Sequence, residues 1–177
     1  AIAEGKKKLE NKSVGLILLG PSGSGKSRAC GTFGVKTLFL HTSGESHGSA
    51  SAAAGGSEIL PICIDAGPPV QSKHVDEDGN EFIGPSSTTV SADEAYKRLL
   101  DILDSVAEIK KLGVKAIAID GATELESIIQ NTTTWKQRLA SEYKGVKSYA
   151  GDLTLSMFRP ILLKLQRLQA ELGIHYV

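Results

Sequence analysis

Gly20-Pro21-Ser22-Gly23-Ser24-Gly25-Lys26-Ser27 fills every fixed position of the pattern G-x-x-x-x-G-K-[ST]. Just before it, Val14-Gly15-Leu16-Ile17-Leu18-Leu19 is a short apolar run of the kind that makes a buried parallel strand. Just after it, Arg28 to Phe33 can continue as a helix. Strand, glycine loop and helix are the context in which this pattern cradles phosphate. Its glycines let successive backbone N–H groups turn inward around an anion, and the helix start adds free N–H groups and its dipole. Lys26 would place a cation on the β and γ phosphates, and the Ser27 hydroxyl can ligate a magnesium ion that bridges them. Gly20, Pro21, Ser22, Gly23, Ser24, Gly25, Lys26, Ser27 and Arg28 are therefore the candidate nucleotide contacts.

The rest of the composition bounds the reading. At 177 residues the chain fits one domain, large enough to bury roughly 70% of the surface its unfolded form exposes. Twenty basic and twenty acidic residues cancel, so no global charge attracts nucleic acid or a membrane, and any such contact must come from a local patch. Cys30 and Cys63 lack metal-ligand spacing and read as buried thiols in a reducing compartment. No apolar run approaches bilayer length and the first residues show no signal-peptide pattern, so a cytoplasmic protein that makes no membrane contact is expected. With no initial methionine and a last stretch, Gly173 to Val177, that reads as the opening of a strand, the natural sequence is expected to extend beyond both ends.

Val35 to His41 reads as a second strand running into the polar segment Thr42-Ser43-Gly44-Glu45-Ser46-His47. Gly48 to Ser57 is almost wholly glycine, alanine and serine, which predicts a flexible loop. Ile59 to Asp65 is a further strand, which Pro61 assigns to a sheet edge or to a later start. Gln71 to Val75 and Glu81 to Ile83 flank a turn-rich acidic segment, predicting a surface hairpin over 71–84. Ser91-Ala92-Asp93-Glu94 is a capping box, followed at helical spacing by Ala95, Leu99, Ile102, Val106 and Ile109 in one helix that ends near Leu112-Gly113.

Val114 to Asp120 is an apolar strand that finishes on an acid. This βαβ rhythm predicts an α/β fold, three layers with a mostly parallel central sheet, in one domain over 1–177. Asp120 is assigned to the water shell of the magnesium ion, since Thr123-Glu124-Leu125-Glu126 offers its own capping box for the next helix. That helix is predicted from about Thr123 to Tyr143. In the following segment Tyr143, Lys144, Lys147 and Tyr149 alternate cations and rings around Gly145, the ingredients of single-strand binding, although an ordinary exposed loop has the same composition. Asp152 to Leu172 reads as helical, with Pro160 expected to kink it or to begin a new first turn.

The order of parts resembles the RecA/RadA core of P-loop ATPases, and more closely the shortened RecA-like proteins of bacteriophages, some of which act in single-strand annealing recombination. Gly20 to Ser27 matches the family's Walker A loop, Ala116 to Asp120 its Walker B strand, and Leu38 to Glu45 looks like its second strand, which ends on a glutamate. The resemblance implies ATP and Mg2+ as ligands, Glu45 as the group that polarises the attacking water, with Glu124 and Glu126 as rivals that the capping box already explains, and a DNA-contacting loop where Tyr143 to Tyr149 falls. It also implies a ring or filament of identical subunits, in the host cytoplasm if the chain is phage-encoded. Two rival readings stand beside it: a small-molecule or nucleoside kinase, for which Gly48 to Ser57 would be a lid, and a nucleotide-switched module with little turnover.

Overall fold

Residues 13–19, 24–43, 48–75, 77, 79–142 and 150–177 are described by a computed structural model of the chain. In chain order they form α1 (Lys26–Gly31), β1 (Thr37–His41), α2 (Gly48–Ala53), β2 (Ile59–Cys63), β3 (Val70–Val75), β4 (Glu81–Ser86) and α3 (Ala92–Asp104). There follow α4 (Val106–Lys111), β5 (Ala116–Ile119), α5 (Ala122–Asn131), α6 (Thr133–Ser141), α7 (Ala150–Leu172) and β6 (His175–Tyr176).

Four strands make a parallel sheet in the order β2-β1-β5-β6. Every residue of β1 is buried, as expected for a strand covered on both faces. Its pleat sorts two cores. Leu38 and Leu40 join Ile117 of β5 and the apolar stripes of α3, α5 and α7, whereas Phe39 joins Ala118 of β5, Cys30 of α1 and Ala50 of α2. The chain is thus an α/β fold with helices on both faces of a parallel sheet. Pro61 lies on the outer strand β2, where a missing N–H costs no internal ladder bond.

The Gly48 to Ser57 segment is not the flexible loop its composition predicts. It forms α2, packed so closely on α1 that a Cβ on Gly31 would stand 2.0 Å from the Ala50 carbonyl oxygen. Ala50 is wholly buried. Small residues here permit backbone-to-backbone contact between two short helices.

The apolar run before the glycine loop also differs from its prediction. Residues 14–16 extend the sheet beyond β6 in parallel, through Leu16 N–H to the Tyr176 carbonyl at 2.9 Å and Tyr176 N–H to the Val14 carbonyl at 3.0 Å. The run occupies an outer position, and Ile17 and Leu19 are 77% and 90% exposed. It is an edge segment, not a buried strand.

Two predicted helices are each divided. Ser91 caps α3 as expected, its Oγ accepting from Glu94 N–H at 3.2 Å. At Ser105, however, the side-chain hydroxyl donates to the Asp101 carbonyl and the backbone N–H turns to Ile102, so α3 ends and α4 begins. The helix predicted over Thr123 to Tyr143 breaks at Thr132, which adopts an extended conformation and caps α6 by accepting from Trp135 N–H. Asp93 of α3 holds the new start, taking Thr133 N–H at 2.9 Å and Thr133 Oγ–H at 2.7 Å. Conversely, α7 runs through Pro160 as one helix, because Met157, Ile161, Leu165 and Leu168 remain buried on one stripe across it. Cys30 is buried as expected, but Cys63 is only half-buried; both are free thiols.

β3 and β4 form the expected antiparallel hairpin. No helix among the described residues is long and apolar enough to cross a membrane. Gly31→Ala should destabilise the protein by about 1–3 kcal/mol through overpacking of α1 on α2, read as a lower urea midpoint; an unchanged midpoint would show that the two helices can move apart.

Candidate functional site at the carboxyl edge of the sheet

Because the strands are parallel, their carboxyl ends open on one edge, the edge at which ligands bind in such sheets. The chain leaves residues 14–19 there toward the glycine loop, β1 delivers Thr42 and Ser43 there, β2 delivers Asp65, and β5 delivers Asp120.

Of the residues that the sequence assigns to a site, Ser24, Gly25, Lys26, Ser27, Arg28 and Asp120 are described. Gly20, Pro21, Ser22, Gly23, Glu45, Tyr143, Lys144, Lys147 and Tyr149 lie outside the described residues. Gly25 precedes α1 with a φ of 87°, a left-handed conformation that a side chain would strain. Ala29 N–H donates to its carbonyl at 2.8 Å and closes the first turn, which begins on Lys26 and Ser27. Lys26 and Ser27 are half-buried and Arg28 is exposed.

Asp120 follows β5 and continues its pairing, with its N–H donating to the Leu40 carbonyl at 2.9 Å. One carboxylate oxygen, Oδ1, accepts from Gly121 N–H at 3.1 Å, while Oδ2 is buried without a hydrogen-bond partner among the described residues. Burial, and after it the negative charge of Asp120, pushes the Cys30 thiol up to about 11. Cys30, on α1 three residues beyond Ser27, is therefore near enough to Asp120 to feel its charge.

The capping box predicted at Thr123 to Glu126 does not form. α5 starts earlier, at Ala122, with Gly121 at the N-cap in a left-handed conformation (φ 91°) and no side-chain cap. Gly121 lets the chain turn from β5 into the helix within two residues, Asp120 and Gly121. Glu124 and Glu126 therefore have no capping role; Glu126 accepts from Gln130 Nε2 at 3.0 Å.

Three polar residues at this edge were not singled out by sequence reasoning, although two of them, Thr42 and Ser43, open the polar segment after the second strand. Thr42 is 2% exposed, and its Oγ1 is the other buried side-chain polar atom without a partner among the described residues. Ser43 donates its N–H to Asp65 Oδ1 at 2.7 Å and its hydroxyl to Asp65 Oδ2 at 2.8 Å. Burial alone would raise the Asp65 carboxyl, but the hydrogen bonds from Ser43 and Cys63 outweigh it and hold the group below its usual range. The signal for Asp65 was available: it is an acid closing an apolar strand, as Asp120 is.

No cluster of three or more His, Cys, Asp or Glu that could hold a metal is present among the described residues. A magnesium ion needs no such cage, since it keeps several waters and is held by one or two carboxylates together with substrate phosphates. The Asp120 carboxylate, with one buried oxygen that has no partner among the described residues, fits that chemistry. Compared with models of protein families, with curated proteins and with solved structures, the chain matches none.

A buried hydroxyl without a partner costs about 1–3 kcal/mol. Thr42→Val should therefore raise the stability of the ligand-free protein by about 1 kcal/mol, seen as a higher urea midpoint at unchanged m-value. A lower midpoint would mean that the hydroxyl is satisfied in solution.

Proposed function

We propose that this chain binds ATP with magnesium and hydrolyses it, as a RecA-like P-loop protein. The observation that carries the reading is the Asp120 carboxylate at the carboxyl edge of the sheet, with one buried oxygen that has no hydrogen-bond partner among the described residues, in a chain whose phosphate-loop pattern ends on Ser27.

The strand order supports it. Residues 14–16 and β5 are separated by β6 alone, so the glycine loop and Asp120 leave the sheet about 10 Å apart at the usual strand spacing. That gap suits an acid acting on hydrated charge more than one touching the phosphate itself. Ser27 and Asp120 would hold the magnesium ion, which when bound neutralises charge on the β and γ phosphates. Lys26 supports the same charge from the loop side. Glu45, two residues past Ser43 in the sequence, would accept a proton from the attacking water as its oxygen bonds to the γ phosphorus and the bond to ADP breaks.

The kinase alternative loses an argument here, because Gly48 to Ala53 forms a helix packed on α1 instead of a free lid. Action on single-stranded DNA, with Tyr143, Lys144, Lys147 and Tyr149 as contacts, and a ring or filament of identical subunits rest on the family resemblance.

Steady-state ATP hydrolysis with and without single-stranded DNA tests the reading. Lys26→Ala and Asp120→Asn should each lower turnover on the order of a hundredfold, and DNA should raise the rate of the unchanged protein alone. A rate indifferent to both substitutions would sink the ATPase. A Lys26-dependent rate indifferent to DNA would keep the ATPase and remove the DNA contacts.

A further inference from the structure

The parallel sheet has two outer edges, and the sequence treats them differently. On one, β2 carries Pro61, which leaves that edge an N–H short. The other is formed by residues 14–16 beyond β6 and continues as Val14-Gly15-Leu16-Ile17-Leu18-Leu19, with no proline and no charge, and every residue of it is exposed. Native edges are blunted by prolines and charges because a bare edge is a template for another strand. Here the template has a definite pattern. Leu16 N–H and the Val14 carbonyl are taken by Tyr176 of β6, so the N–H and C=O of Gly15, which lie between them, point away from the sheet, and strand alternation sends those of Ile17 the same way. None of these groups has a hydrogen-bond partner among the described residues.

The occupant that matches this pattern is a second copy of the same edge. Run antiparallel about a twofold axis at Leu16, the two segments place Gly15 of each copy opposite Ile17 of the other, and each of these residue pairs exchanges its N–H and C=O groups. The outward groups of both copies are then satisfied together. Leu16 meets its own counterpart on the axis as a non-hydrogen-bonded pair, the closer of the two kinds. On the opposite face Gly15 shares the register of Tyr176, whose ring takes the place of a side chain, since a Cβ on Gly15 would stand 2.4 Å from it. The second copy's Ile17, opposite Gly15, comes beside that ring as a β-branched and aromatic pair across strands. Charge does not oppose the approach, because the segment has none and the twenty basic and twenty acidic residues of the chain cancel. We infer that residues 14–19 are an interface between two copies of this chain, which joins their sheets edge to edge. The pair closes on itself, so it is a different contact from the head-to-tail one that a ring or filament repeats, and it does not depend on the ATPase reading. A ladder this short falls at the small end of specific interfaces, below about 1,200 Å², so the dimer should come apart on dilution.

Sedimentation of the full chain over a dilution series tests the interface. The expected result is a monomer–dimer equilibrium with a Kd on the order of 10 μM and nothing larger. Ile17→Lys should weaken the dimer roughly tenfold or more. Ile83→Lys, at a similarly exposed apolar position on the β3–β4 hairpin, should leave it within about twofold. Register is read by cysteine cross-linking under mild oxidation, with the unchanged chain as the blank for Cys30 and Cys63. Leu16→Cys brings two thiols together on the axis with their Cα atoms about 4.5 Å apart, within disulfide reach, and should give a covalent dimer. Leu18→Cys, which this register places opposite Val14, should not. The cysteine pair also decides the matter if Ile17→Lys does not fold. A chain that stays monomeric at every concentration overturns the inference, and so does a dimer indifferent to Ile17→Lys. An equal loss in Ile83→Lys, cross-linking as efficient at position 18 as at position 16, or growth into aggregates without a dimer plateau would each replace a defined interface by general apolar association and overturn it too.

Discussion

The backbone of β1 lies in the dry centre of the molecule with a parallel neighbour on each side, and it can satisfy its N–H and C=O groups only through those neighbours. Much else follows from that requirement. Parallel pairing forces each connection to cross from one end of the sheet to the other, which puts helices over both faces. It also aligns the carboxyl ends of β1, β2, β5 and β6 on one edge. Side chains inside the strands are committed to packing, Leu38 and Leu40 to one face and Phe39 to the other. Polar groups can therefore be spent only at the tips, where Thr42, Ser43, Asp65 and Asp120 stand.

Periodicity made the centre of this fold legible in the sequence. The apolar runs of β1 and β5, the Ser91 cap and the stripe of Ile161, Leu165 and Leu168 are local signals, and each was decided by the same local physics in the structure. What escaped was set by partners far away in the chain. The glycine, alanine and serine of α2 look like a linker because they lack side chains to pack, yet Gly31 of α1 lacks one too, and two bare backbones can close the gap directly. Composition alone cannot distinguish a segment with nothing to bury from one whose neighbour is equally bare.

The helix breaks have the same origin. Asn131-Thr132-Thr133-Thr134 carries residues that compete with a helix for backbone bonds, but the competition is won at Thr132 only because Asp93, forty residues earlier, secures Thr133. The edge position of residues 14–16 likewise depends on β6, at the far end of the chain. Of the candidate site, the strand-terminal Asp120 and the turn at Gly25 were legible as local punctuation. The Ser43–Asp65 contact was not: Asp65 carries the same strand-terminal signal as Asp120, but only the pairing of β1 with β2 brings Ser43 to it.

Asp65 and Asp120 occupy equivalent places, each closing an apolar strand on the same edge, and they differ in how their lone pairs are used. Asp65 gives both oxygens to Ser43 and is held below the usual carboxylate range by its donors, with burial opposing. Asp120 gives one oxygen to the adjacent N–H of Gly121 and keeps the other buried, without a partner among the described residues. An acid whose two oxygens are both engaged by its own chain is held in place by those bonds. An acid with a dry, unfilled oxygen carries a cost of about 1–3 kcal/mol, a large share of the 5–15 kcal/mol that holds a typical domain together. A cation at Asp120 would remove that cost, whereas a cation at Asp65 would have to break the grip on Ser43 first. Geometry alone thus leaves the same residue type in two different states, with both oxygens engaged after β2 and one oxygen without a partner among the described residues after β5.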